Sequence, residues 1–180
     1  MAPVTCARIM NTRNGDRAPG PLIAVTAAPG EHGLLTLTAA RRLKPGTYRL
    51  VIRFTNDFNT QATSLYRLKS GDDWYAFTQF EADDAREAFP CFDEPEFKIP
   101  WNVIVVAPVD HLVIGNTPIE SESVEGGKKT VVFKTTKPLP SYLIALSSGP
   151  LETVPIEGLG VPGRVVTVKG QSQLALEAAR

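Results

Sequence analysis

Fifteen prolines and fourteen glycines are spread along this chain instead of being pooled, and they punctuate short runs rich in Val, Ile, Leu, Thr and Tyr. That punctuation predicts an all-β fold. Strands are expected over residues 4–10, 22–27, 34–40, 48–54, 64–69, 74–78, 98–107, 111–116, 130–136, 142–148 and 164–169, several of them alternating apolar and polar residues as half-buried strands do. The connections agree with this. Pro29-Gly30-Glu31-His32-Gly33 and Lys44-Pro45-Gly46 set a fixed-φ proline beside a permissive glycine, and Glu125-Gly126-Gly127-Lys128 reads as a hairpin tip. Gly126-Gly127-Lys128-Lys129-Thr130 is not a phosphate loop: Glu122 stands where a Walker motif needs glycine, and Lys129 where it needs Ser or Thr.

At 180 residues the chain is long enough for one domain with a real core, and 43% hydrophobic with 21% charged residues is ordinary globular usage. Nineteen basic residues balance nineteen acidic ones, so no overall field draws it to nucleic acid or to an anionic membrane. No stretch approaches the ~18–20 apolar residues of a membrane span, and no basic, apolar leader opens the sequence. Cys6 and Cys91 do not make a disulfide framework, and with no leader they predict a cytoplasmic protein. His32 and His111 are the only histidines, and neither HExxH nor CxxC occurs, so no metal site is expected within this chain.

Two segments break the β pattern. A short helical turn is expected near 82–88, closed by Pro90, and residues 170–180 read as the opening of a helix with Ser172 as its N-cap. The first of these lies inside the most unusual stretch of the chain. From Trp74 to Trp101, nine charged and eight aromatic residues share 28 positions. Carboxylates held among so many aromatics must be paired, hydrogen-bonded or turned toward a cleft. Asp83 and Asp84 suit a helix first turn, where the dipole favours negative charge. Asp93, Glu94 and Glu96, with Arg86 and Lys98 nearby, suggest a local ion-pair network, and Phe89, Phe92 and Phe97 are expected in the core. Asp83-Asp84-Ala85-Arg86 lacks the spacing of a calcium loop. A glycosidase-type carboxylate pair stays open at this level, since the fold sets its separation.

The same stretch carries a resemblance. Thr78-Gln79-Phe80-Glu81, Asp84-Ala85-Arg86 and Ala88-Phe89-Pro90-Cys91-Phe92-Asp93-Glu94-Pro95, followed by Phe97-Lys98, closely resemble the end of the N-terminal β domain in zinc aminopeptidases of the aminopeptidase N family. Trp74-Tyr75, Gly115-Asn116-Thr117-Pro118 and Pro140-Ser141-Tyr142-Leu143-Ile144-Ala145 are similar in the same order. The likeness is good over 48–149 and loose over the first forty residues.

The resemblance implies saddle-like antiparallel sheets, a β-sandwich that leans on a separate catalytic domain holding zinc. Residues 1–170 would form the N-terminal domain, short of its first strands, and 171–180 would begin the helix leading to that catalytic domain. The expectation is a partial gene product, a fragment or a truncated relative. It further implies that Glu81 binds the free α-ammonium of a peptide substrate and that Gln79 lines the first side-chain pocket. The chain itself is expected to be inactive, with no catalytic residue, no metal ligand and no cofactor, and to have the peptide N-terminus and the catalytic domain as partners. An alternative is a stand-alone β-sandwich that binds peptides or proteins after losing catalysis.

Overall fold

The protein, seen in a computed structural model, is described over residues 4–11, 22–177 and 179. Leu35–Ala39 (β3) shows why the chain forms sheets: Leu35, Leu37 and Ala39 are half-buried while Thr36 and Thr38 are exposed, the period-two pattern of a strand covered on one face. It lies at the edge of a four-stranded antiparallel sheet with β1 (Val4–Asn11), β2 (Leu22–Pro29) and β4 (Tyr48–Phe54), in the order β3-β2-β1-β4. A 3₁₀ turn over Glu31–Gly33 joins β2 to β3, and Gly33 supplies the positive φ of 74° at its end.

A second four-stranded sheet, ordered β5-β6-β11-β8, is built from β5 (Ser64–Ser70), β6 (Asp73–Gln79), β8 (Leu112–Gly115) and β11 (Leu146–Gly149). β7 (Ile104–Pro108), β9 (Ile119–Glu125) and β10 (Lys128–Phe133) make a three-stranded sheet ordered β7-β10-β9. Gly126 and Gly127, with φ of 56° and 74°, form the tight β9–β10 hairpin. These two sheets pack face to face. Val131, Phe133 and Ala107 from one meet Val113 and the half-buried Leu146 from the other, and each large side chain so buried contributes about 1.5–3 kcal/mol. Finally β12 (Leu151–Ile156) pairs with β13 (Gly163–Val168), and the short helix α2 (Ser172–Ala175) packs on this ribbon.

The all-β, sandwich-like fold is as the sequence predicts, with differences in detail. Regular pairing over 98–107 begins only at Ile104; upstream, the Trp101 N–H donates to Thr136 Oγ1 at 3.0 Å and Ile99 makes one isolated bridge to Leu139. Over 142–148, Ser141–Leu143 is a 3₁₀ turn and the strand starts at Leu146. β9 and β12 were not expected at all. β9 is exposed at every position and flanks its sheet as an edge strand, while β12 carries Pro155, which a two-stranded ribbon tolerates. At the C-terminus the helix is limited to Ser172–Ala175, with Gln171 rather than Ser172 in the N-cap place and no side-chain cap. Residues 178 and 180 of the expected helix lie outside the described residues.

Candidate functional site

β6 ends at Gln79, which pairs in register with Ser64 of β5. Around that end Gln79 is exposed, Phe80 is 3% exposed, and Glu81, already in the turn that follows the strand, is exposed again. Phe80 anchors them from beneath. It packs with Ala85, Ala88 and Ile144 and meets Phe89 edge-on at 5.6 Å. The backbone then closes a turn in which the Asp84 N–H donates to the Phe80 carbonyl at 3.0 Å, and the helix α1 (Ala85–Ala88) follows. Among the described residues nothing hydrogen-bonds or ion-pairs with the Glu81 carboxylate, which leaves it open to a ligand.

Two side chains hold the start of β11, one from the end of β6 and one from just beyond β8. The Leu146 N–H donates to Thr78 Oγ1 at 2.8 Å, completing the ladder where backbone pairing stops. Asn116 clamps the segment just before it, donating to the Leu143 carbonyl at 2.7 Å and accepting from the Ala145 N–H at 2.9 Å. The strand end is therefore held from both flanks.

Behind it lies a buried carboxylate. Asp93 is 5% exposed, and its Oδ2 accepts from the Arg86 N–H at 2.9 Å and from Arg86 Nε at 3.0 Å. Its Oδ1 accepts from the hydroxyl of Ser141, itself 1% exposed. One carboxylate thus joins α1 to the turn at Ser141–Leu143. The hydrogen bond to Asp93 also raises the Arg86 pKa, keeping the guanidinium charged. Burial, followed by the Asp93 charge, pushes the Cys91 thiol up to about 12. Cys91 is therefore expected to react with iodoacetamide at pH 8 roughly a thousandfold more slowly in the folded chain than after denaturation, as mass spectrometry of the alkylated peptides would show. Labelling at the rate of an ordinary thiol would contradict this. Because the folded thiol keeps its proton while the unfolded one, near ~8.5, loses it, this group's contribution to stability falls as pH rises from about 9 toward 12.

The structure brings Gln79 and Glu81 to one end of β6, but it does not enclose them. A cavity of about 370 Å³ lies elsewhere, where Leu37, Leu50 and Ile52 of the first sheet face Pro90, Phe92 and Trp101. Phe89 is in the core as expected, whereas Phe92 and Phe97 are not: they are 72% and 42% exposed and pack on one another at 5.2 Å. The turns around Pro90 and Pro95 carry them out to the surface. Of the three acidic residues around Pro95, only Asp93 is buried with Arg86, and Glu94 and Glu96 remain exposed. Asp84 accepts from Thr63 Oγ1 at 2.6 Å, and Asp83 lies 4.0 Å from Arg86, so both serve the turn. Thr63, Asn116 and Ser141 were not singled out from sequence for any role, although Asn116 and Ser141 lie in the motifs that carry the resemblance. Among the described residues no three His, Cys, Asp or Glu side chains gather to hold a metal ion. No described helix is long and apolar enough to cross a membrane.

Residues 11–143 match the peptidase M1 N-terminal domain. The chain belongs to that family. This M1 N-terminal domain is 34% identical over 137 residues to the alanine/arginine aminopeptidase of Saccharomyces cerevisiae, covering 73% of the chain and 16% of the relative. It is 35% identical over 145 residues to aminopeptidase M1-D of Oryza sativa subsp. japonica, covering 78% and 16%. To the puromycin-sensitive aminopeptidase of Caenorhabditis elegans it is 33% identical over 148 residues, again 78% and 16%. The chain therefore spans less than a fifth of the length of the curated relatives it matches.

Proposed function

We propose that this M1 N-terminal domain works as the substrate-terminus half of an aminopeptidase site, with the hydrolytic half, including zinc, on a catalytic domain outside this chain. The supporting observation is the Glu81 carboxylate, exposed and unpaired among the described residues, on a turn anchored by buried Phe80. A peptide's free α-ammonium is a compact cation that only a chain terminus presents. A fixed carboxylate opposite it supplies a charge-assisted hydrogen bond of about 1.5–3 kcal/mol, which an internal peptide bond cannot make. Gln79, two residues earlier and also exposed, offers an uncharged donor and acceptor for the wall of the first side-chain pocket. An open half-site is what such a division requires, since a second domain would complete the enclosure. A cytoplasmic setting belongs to the same proposal, and Cys6 and Cys91 are both free thiols, as a reducing compartment would keep them.

The test is kinetic. In this chain joined to a family catalytic domain, Glu81→Ala is expected to lower kcat/KM for an unblocked peptide by about 10- to 150-fold, the equivalent of the lost charge-assisted bond. Unchanged efficiency would remove Glu81 from the site.

A further inference from the structure

We propose that Thr63 is a positioning residue for Glu81, acting through Asp84. The inference rests on the reading of Glu81 as the ammonium-binding group. Glu81 stands in the turn closed by the Asp84 N–H to Phe80 carbonyl bond at 3.0 Å, so the position of Asp84 sets where the turn begins its return. Thr63 supplies the second tie. Its hydroxyl donates to Asp84 Oδ2 at 2.6 Å, the short distance typical of a bond to a carboxylate.

The placement of Thr63 is specific. β5 and β6 end together at the Ser64–Gln79 pair, so Thr63 emerges beside the turn that follows Gln79. Ser64 has φ of 58°, and it is the only non-glycine residue with positive φ among the described residues. It is also 3% exposed. An L-residue enters the left-handed region at a cost of about 1–2 kcal/mol, so the surrounding structure must hold it there. Next to this kink, the Thr63 N–H donates to the Gln61 carbonyl at 2.8 Å, and the Asn59 N–H donates to the Leu65 carbonyl at 2.9 Å. Thr63 is thus the fixed end of the bond, and the 81–84 turn is the element it orients. Asp84 cannot substitute for this role by capping its own helix, since it makes no side-chain cap there.

The experiment uses the chain joined to a family catalytic domain and compares Thr63→Val, which keeps the shape and removes the hydroxyl, with Thr63→Ser, which keeps the hydroxyl. Misplacing a binding group by about 1 Å can cost up to ~100-fold, so Thr63→Val is expected to raise KM for an unblocked peptide about tenfold with kcat nearly unchanged, and Thr63→Ser to restore it. In a Glu81→Gln background Thr63→Val should add less than about twofold, because the group being oriented is gone. If Glu81→Gln lowers efficiency but Thr63→Val is silent, or acts equally in both backgrounds, Thr63 is not a positioning residue. If Glu81→Gln is itself silent, the ammonium reading fails and Thr63 falls with it. Should the joined protein not fold with Thr63→Val, amide ¹⁵N relaxation of the 180-residue chain decides the matter. Lower order at Glu81–Asp83, recovered in Thr63→Ser, supports the proposal, and unchanged order overturns it.

Discussion

Asp93→Ala is expected to lower the unfolding free energy of this domain by about 3 kcal/mol, read as a fall in the urea midpoint with little change in m. The carboxylate accepts three hydrogen bonds, two from Arg86 and one from Ser141, and no solvent reaches it in quantity at 5% exposure. Truncation strands all three donors. Ser141, at 1% exposure, has no water to turn to, and an orphaned buried donor costs about 1–3 kcal/mol. The Arg86 side chain is 30% exposed, which moderates the loss of the ion pair and sets the expectation at the lower end of the usual ~3–5 kcal/mol for breaking a buried pair. Asp93→Asn keeps one acceptor oxygen and should cost less than Asp93→Ala. A midpoint shift for Asp93→Ala worth under about 1 kcal/mol would show that the carboxylate does not bind α1 to the Ser141–Leu143 turn.

Gly149→Ala is expected to be destabilising by about 1–3 kcal/mol, against the usual trend. Replacing glycine by alanine commonly stabilises by about 0.4–1 kcal/mol through the unfolded chain, provided the new methyl fits. Here it does not fit. A Cβ on Gly149 would lie 3.1 Å from Cε1 and Cγ of Tyr75 and closer still to Cδ1. Tyr75 has nowhere to move: it is 2% exposed, its hydroxyl accepts from the Lys169 N–H at 3.2 Å, and its ring stacks near Phe77 with centroids 6.3 Å apart. The check is a double-mutant cycle by thermal or urea unfolding. With Tyr75→Ala already present, Gly149→Ala should become neutral or mildly stabilising; an equal penalty in both backgrounds would place the clash elsewhere.

Much of the fold was legible because its inward-facing strands keep a strict alternation, as in β3, where Leu35 and Leu37 turn in and Thr36 and Thr38 turn out. β12 was missed because Pro155 interrupts its pattern, and the pairing that tolerates Pro155 is with Arg164 on the far side of a loop. The buried carboxylate posed a different difficulty. Asp93 and Glu94 are neighbours with the same chemistry, and it is the bonds from Arg86 and from Ser141, 48 positions away, that separate the buried one from the exposed one. Phe92 and Phe97 were misplaced for the converse reason, since aromatic identity predicts burial on average but says nothing of which way a proline-bounded turn will carry the ring. At the end of β6 the exposure of Gln79 and Glu81 around buried Phe80 follows from an apolar residue between two polar ones, but the turn that carries Glu81 away from the strand does not. The Thr63–Asp84 tie beneath them was not legible, because it spans 21 positions and depends on the left-handed Ser64.

The edge strand β9 has one more consequence. Ile119–Glu125 offers its free backbone edge along seven exposed residues, the arrangement by which sheets recruit further strands from other molecules. Its side chains oppose that growth. Glu120, Glu122 and Glu125 line this short strand, and a second copy docking antiparallel against it would bring carboxylate against carboxylate with little apolar surface to offset the repulsion. The three carboxylates of β9, whose pattern concealed the strand in the sequence, therefore work against the sheet polymerising through its own rim.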